Sequence, residues 1–194
     1  MTIIDKRLFD WLTESSCVVK ENELQMEATK KSDYFIHPET GESSLNAPFL
    51  YTTISGDFTI RAKVTPQFKE IYDACGLLIY DRASLWGKLC FEYTDMGVNA
   101  VVSVITDKAS DDANGQSLVS DNVWLQISRK GQLFSMHYSL DGKVFRMVRY
   151  FSLPCNEEIK VGFLAQSPLG DGGSPLFQNI FLVNEPLTDM RRGE

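Results

Sequence analysis

The residues from Trp86 to Tyr93 carry the densest chemistry in the chain. Read as a strand, whose side chains alternate across its two faces, they divide into two sets. Gly87, Leu89, Phe91 and Tyr93 suit a core. Trp86, Lys88, Cys90 and Glu92 put an indole, a cation and a carboxylate in line on an exposed sheet face. There the ring would stack on a sugar or a flat apolar group, while Lys88 and Glu92 hydrogen-bond its polar groups. The same residues also allow a plain solvated face with a weak Lys–Glu pair. Arg149 lies in an otherwise apolar run with Phe145, Met147 and Phe151. Such a cation needs an acid, and Glu92 or Asp73 can serve, in the site or as a structural pair. Gln166 alternates with core-like Phe163 and points into the same cleft or caps a loop. Ser103 and His137 are further candidates for that surface, although a lone strand histidine is more often packed than a ligand.

Catalysis finds less support. A glycosidase needs two carboxylates flanking the scissile bond, and Glu92 meeting Asp73 through space is the one reading that retains hydrolysis. No Gly-x-Ser-x-Gly elbow is present. Neither His37 nor His137 sits in a metalloprotease pattern. The acidic segment 107–115 reads as a solvated loop and lacks the spacing and closing Glu of a calcium hand. Gly170-Asp171-Gly172-Gly173 contains an acid and precedes no helix, a poor phosphate cradle. The expectation is therefore a binding surface with no catalytic residue, no metal and no cofactor.

The elements that must position these residues read as strands. Candidates are Cys17–Val19, Glu23–Ala28, Phe49–Thr53, Phe58–Thr65, Gly76–Asp81, Trp86–Thr94, Val98–Thr106, Val123–Arg129, Leu133–Ser139, Phe145–Phe151, Ile159–Ala165 and Phe177–Val183. Tight turns punctuate them, at Arg129–Gln132 and at Ser139–Lys143, where Asp141-Gly142 supplies positive φ. Short strands at even spacing predict an all-β, two-sheet antiparallel sandwich or jelly roll. Leu8, Trp11 and Leu12 suggest one short helix over residues 5–14. Residues 167–175 form a loop. A length of 194 residues suits one domain, read as 1–194 with a lead-in over 1–16 and a frayed end over 189–194.

The net charge of −7 argues against nucleic acid, which needs a basic stripe, and against an anionic membrane surface. Asp5, Lys6, Arg7 and Asp10 interrupt the first residues before a signal-peptide core can form. No apolar run reaches membrane length. Cys17, Cys75, Cys90 and Cys155 have no Cys-x-x-Cys spacing and read as free thiols of a cytoplasmic protein.

One ordered set of segments carries a resemblance: Asp73–Leu77, Trp86–Glu92, Ser103–Thr106, Ser110-Asp111, Ser139–Gly142, Arg149 and Gly162–Pro168. Over residues 24–183 the chain resembles a family of concanavalin A-like domains of unknown function. That family includes the fungal protein named "regulation of enolase protein 1" and many bacterial relatives. The resemblance implies a jelly roll of the lectin/glucanase superfamily and keeps the Trp86–Glu92 positions on a concave sheet. It also implies a regulator of carbon metabolism that binds a glycolytic enzyme, enolase, or a small carbohydrate or metabolite. Two departures stand out. Asp33-Tyr34-Phe35 replaces a frequent Asp-Phe-Trp, and Ser110-Asp111-Asp112 replaces Ser-Asp-Trp, so contacts made through those two tryptophans are lost. Glucanases of the superfamily carry Glu-x-Asp-x-x-Glu on a strand, whereas this strand runs Glu92-Tyr-Thr-Asp95.

Overall fold

The computed structural model describes residues 8–194. Its strands are numbered in chain order. One sheet runs, edge to edge, β1 (Asp10–Thr13), β6 (Phe49–Ser55), β15 (Glu158–Gln166), β8 (Ala74–Arg82), β9 (Leu85–Tyr93), β10 (Asn99–Asp107), β11 (Ala109–Ser117). The other runs β14 (Arg146–Ser152), β13 (Leu133–Ser139), β12 (Val123–Lys130), β7 (Phe58–Thr65), β16 (Leu176–Val183), β3 (Glu23–Met26), β2 (Cys17–Lys20). All pairings are antiparallel, and β4 (Tyr34–Ile36) with β5 (Ser43–Leu45) makes a separate small hairpin. This is a two-sheet jelly-roll sandwich.

Strand alternation builds the interior. Phe58, Ile60, Ala62 and Val64 of β7 and Leu125 and Ile127 of β12 turn inward. They meet Leu77 and Ile79 of β8, Leu89 and Phe91 of β9, and Val161 and Phe163 of β15. The first sheet is apolar on its other face as well. There Phe49, Leu78, Trp86, Cys90, Val102, Val104 and Leu164 form a second cluster with Tyr34 and Ile36 of the β4–β5 hairpin. A sheet covered on both faces reads as a continuous apolar run rather than an alternation, and β9 is buried along nearly its whole length.

Three expectations are corrected. Over Asp10–Thr13, inside the expected helix of residues 5–14, the chain forms strand β1: Asp10 and Leu12 face out while Trp11 and Thr13 turn in, a period of two that pairs with β6. Residues 5–7 of that expectation lie outside the described residues. Segment 107–115 is not a free loop, because most of it is edge strand β11, paired with β10 from Ala109 onward. The C-terminus is not frayed. Residues 185–194 lie on the polar outer face of the second sheet: Thr59 Oγ1 donates to the Glu185 carbonyl at 2.8 Å. The Leu187 amide donates to Ser128 Oγ at 3.0 Å, and Gln126 Nε2 to the Gly193 carbonyl at 3.2 Å. The turns at Gly131 and Gly142 adopt φ of 60° and 71°, and the Asp141 carboxylate accepts from the amides of Lys143 and Val144. No helix among the described residues is long and apolar enough to cross a membrane.

Candidate functional site

Strand β9 lies between β8 and β10, and alternation sends Trp86, Lys88, Cys90 and Glu92 to the outer face of its sheet. That face is not open. The β4–β5 hairpin covers its Trp86 end, and Trp86 is fully buried. Tyr34 meets the indole edge-on with ring centroids 5.7 Å apart, and Trp86 Nε1 donates to the Ala83 carbonyl at 3.2 Å. Trp86 is thus the anchor of the second core and no stacking platform for a ligand. This corrects the reading of an exposed face.

Beyond the hairpin the same face opens into a pocket of about 300 Å³. Its floor and walls are Lys88 and Glu92 of β9, Val104 of β10, Asp112 of β11 and Gln166 of β15. Asp33, Phe35 and His37 close one side and Tyr72 the other. Sheet register produces this set. Lys88 pairs with Val104, Val104 with Asp112, Ala74 with both Glu92 and Gln166.

The Lys88 side chain is only 3% exposed, and its ammonium lies 3.2 Å from Asp33 Oδ1. It also donates to Gln166 Oε1 at 2.9 Å. Gln166 Nε2 in turn donates to the Tyr72 carbonyl at 3.2 Å. Tyr72 holds a left-handed φ of 71°, an unfavourable conformation for an aromatic residue. Asp33 Oδ1 also accepts from the Tyr34 amide at 2.7 Å. Lys88 therefore ties the hairpin to the sheet and orients Gln166 toward the pocket.

The acids outnumber the cation. Burial pushes the Glu92 carboxyl up to about 8; Lys88 opposes this and Asp112, Asp33 and Asp95 add to it. Asp112 is also raised, first by enclosure, with Lys88 opposing. Burial works to lower Lys88, yet Asp33, Cys90 and Glu92 outweigh it and hold its pKa above the ordinary value. At neutral pH the pocket thus holds a charged Lys88–Asp33 pair beside a largely protonated Glu92. No three His, Cys, Asp or Glu side chains among the described residues are grouped to hold a metal ion.

The structure brings Lys88, Glu92 and Gln166 together and sends the other candidates elsewhere. Asp73 faces a loop: its carboxylate accepts from the amides of Lys69 and Glu70 and from Ser167 Oγ at 2.6 Å. It is held by three donors and is no partner of Glu92, so the paired-carboxylate hydrolase reading loses its second acid. Arg149 is on β14 of the other sheet and pairs with Asp111 at 3.3 Å, not with Glu92 or Asp73. Ser103 pairs with Leu89 across the ladder and therefore faces the sandwich interior. Its buried hydroxyl has no hydrogen-bond partner. His137 is on β13 of the second sheet, buried beneath the C-terminal turn, where Gly193 packs against its ring. Burial lowers its pKa to about 4.

Sequence reasoning missed Asp33, Phe35, His37, Tyr72 and Asp112 as pocket residues. A signal existed for two of them. Phe35 and Asp112 are the positions at which the chain departs from the tryptophans of the resembling family, and both line the pocket.

Comparisons with known proteins agree with this architecture. The family described as "Protein of unknown function (DUF1349)" matches residues 11–184. No curated protein matches the chain in sequence. A functionally unknown protein from Saccharomyces cerevisiae superposes with a TM-score of 0.88 at 22% identity, over 95% of this chain and 100% of that one. The GH43 BlXynB protein from Bacillus licheniformis gives 0.66 at 12% identity, over 93% of this chain and 40% of that one. The exoplasmic/lumenal domain of VIP36, in a Ca2+/Man3GlcNAc-bound form, gives 0.54 at 8% identity, over 94% and 86%. At these identities the likenesses show the fold.

Proposed function

Because the chain belongs to the DUF1349 family of proteins of unknown function, its activity has to be read from its own residues, and we propose that it binds a small polyhydroxylated, sugar-like ligand in the Lys88–Glu92–Gln166 pocket. One observation carries this reading: a charged lysine, 3% exposed, is held against the wall of an open pocket with the acceptors Asp33 and Gln166 around it. A buried ion pair stabilises a fold weakly, and an apolar replacement usually does as well or better. A polar cluster at the floor of a cavity instead supplies the few directed groups that orient a ligand. Phe35 offers an aromatic wall for the apolar face of a sugar ring. Lys88 and protonated Glu92 donate, and Asp33, Asp112 and Gln166 accept. A cavity of about 300 Å³ suits one or two sugar units.

The test is a thermal-shift and calorimetric screen of neutral mono- and disaccharides at millimolar concentration, against the wild type and Phe35→Ala. A ligand at a hundred times its Kd stabilises the fold by roughly 3 kcal/mol, so a clear shift for at least one sugar is expected. Phe35→Ala should weaken it about tenfold. No shift for any sugar would overturn the proposal.

A second reading, association with enolase, follows from the family resemblance. Free edge strand β14 favours a protein partner, because Val144, Met147 and Tyr150 are exposed on or beside it. Pull-down with purified enolase at micromolar concentration tests it; no complex and no change in enolase turnover would end it.

A further inference from the structure

The polar groups of the pocket are not evenly satisfied. Asp33 accepts from Lys88 and from the Tyr34 amide, and Lys88 directs two of its three N–H bonds to Asp33 and Gln166. Arg149, on the second sheet, pairs with Asp111 and its charge also reaches Asp112. That leaves Glu92, with Asp112 beside it, whose carboxylate already accepts from the Ala113 backbone and feels the charge of Arg149. The Glu92 residue is only 7% exposed, it lines the cavity, and its carboxyl has no hydrogen-bond partner among the described residues. Asp112 faces the same space from the edge strand. A largely buried carboxyl that opens on a cavity and has no protein donor is poised to receive one from a ligand. No three His, Cys, Asp or Glu side chains among the described residues are grouped there to hold a metal ion, and a ligand donor would take the place of solvent at the carboxyl.

Resting on the sugar-pocket reading and refining it, we propose that the ligand is a hydroxylated molecule carrying an ammonium group, an amino sugar or amino polyol, whose cation docks against Glu92 and Asp112. The charged and titratable groups around Glu92 and Asp112 are Lys88 on the strand of Glu92, Asp33 before β4, His37 after it, Asp112 on β11, Asp95 in the following turn, Tyr72 and Cys90 beside them, and Arg149 on β14. The cations Lys88 and Arg149 are already paired with Asp33 and Asp111. An ammonium therefore adds the charge the site lacks, through bonds about twice as strong as neutral ones. Glu92 gives up its proton to solvent as the cation enters, so no other reactant is required.

Calorimetry compares glucose with its primary-amine analogue at the exocyclic carbon, an amine that stays charged over the range used. With Glu92 raised to about 8, the amine must displace a proton at lower pH. The ratio of amine to glucose affinity should then rise at least tenfold from about pH 6.5 to about pH 8, while glucose weakens no more than about twofold as Glu92 loses the proton it donates. Glu92→Gln should flatten that ratio to within about twofold, and its unfolding transition shows whether it is folded. Asp112→Asn, at an exposed edge, should lower the ratio at every pH and leave its slope intact. Glucose binding with a flat wild-type ratio, or an unchanged slope in Glu92→Gln, would overturn the ammonium proposal alone. Failure of both sugars and all other neutral saccharides to bind would remove the sugar-pocket reading beneath it.

Discussion

Replacing Glu92 by Gln should stabilise this protein at alkaline pH and leave it unchanged at acid pH. The Glu92 carboxyl moves from an ordinary value of 4.5 to about 8 in the folded chain, chiefly through burial. Between those values the folded state holds a proton that the unfolded chain has lost. Stability therefore falls as pH rises through that window and levels off above it. At about 1.4 kcal/mol for each pKa unit, the ceiling is about 5 kcal/mol. The open pocket and the adjacent Lys88 soften the environment, so about 2–3 kcal/mol is expected, against a total of roughly 5–15 kcal/mol for a domain.

Glutamine has the same shape and no proton to lose. The assay is urea unfolding followed by tryptophan fluorescence, at several values from about pH 4.5 to about pH 9, for wild type and Glu92→Gln. Other acids titrate in both proteins, so the quantity of interest is the difference between the two stabilities. It should begin near zero at the acid end and grow to its full value near pH 8. A difference that is constant across the range would refute the claim that Glu92 is buried with its proton on.

Further outcomes follow from other side chains. Trp86→Ala should cost about 3–5 kcal/mol, as expected for deleting a fully buried aromatic ring, and should lower the melting temperature steeply. Ser103→Ala removes a buried hydroxyl without a partner and should be neutral or stabilising by about 1 kcal/mol, read from the denaturation midpoint. His137, lowered from 6.5 to about 4 by burial, should show no titration in NMR spectra above about pH 5. Its contribution to stability is present above its ordinary pKa and is lost as pH falls through 6.5 toward 4. Deleting residues 189–194 uncovers the ring and should return its titration toward 6.5.

The sandwich was legible because its second sheet obeys period two and its first sheet reads as evenly spaced apolar runs. Strands β7 and β12 of the second sheet show that alternation in the sequence, while β8 and β15 of the doubly covered sheet read as short apolar runs ended by turn or polar residues. The face holding Lys88 and Glu92 was legible from the alternation of side chains along a strand. What covers that face was not. β4 and β5 have three residues each, too short to show a period, and Pro38 through Gly41 between them reads as loop. Without that hairpin in view, Trp86 passes for an exposed ring. The misplacement of Ser103 has a different cause. It is one residue from Val104, which faces Lys88, and a shift of one position sends a side chain to the opposite face. Arg149 and His137 belong to the other sheet, and parity within a strand carries no information about which sheet it joins.

The two departures from the family pattern take on a physical meaning once the pocket is visible. Phe35 and Asp112 stand where the resembling sequences carry tryptophans, and here they occupy separate walls of one cavity. A second indole at 112 would make the mouth apolar and fill part of the space. An aspartate there leaves room and adds a carboxylate that raises the pKa of Glu92. The smaller ring at 35 keeps an aromatic wall. The two substitutions therefore act in one direction, from a ring-lined slot toward an open, acid-rich one. Asp112→Trp should reverse it, lowering affinity for a cationic sugar and raising it for a neutral one. The same calorimetric pair of ligands measures that reversal, and a Trp variant that lowers both affinities equally would show that residue 112 only occupies space.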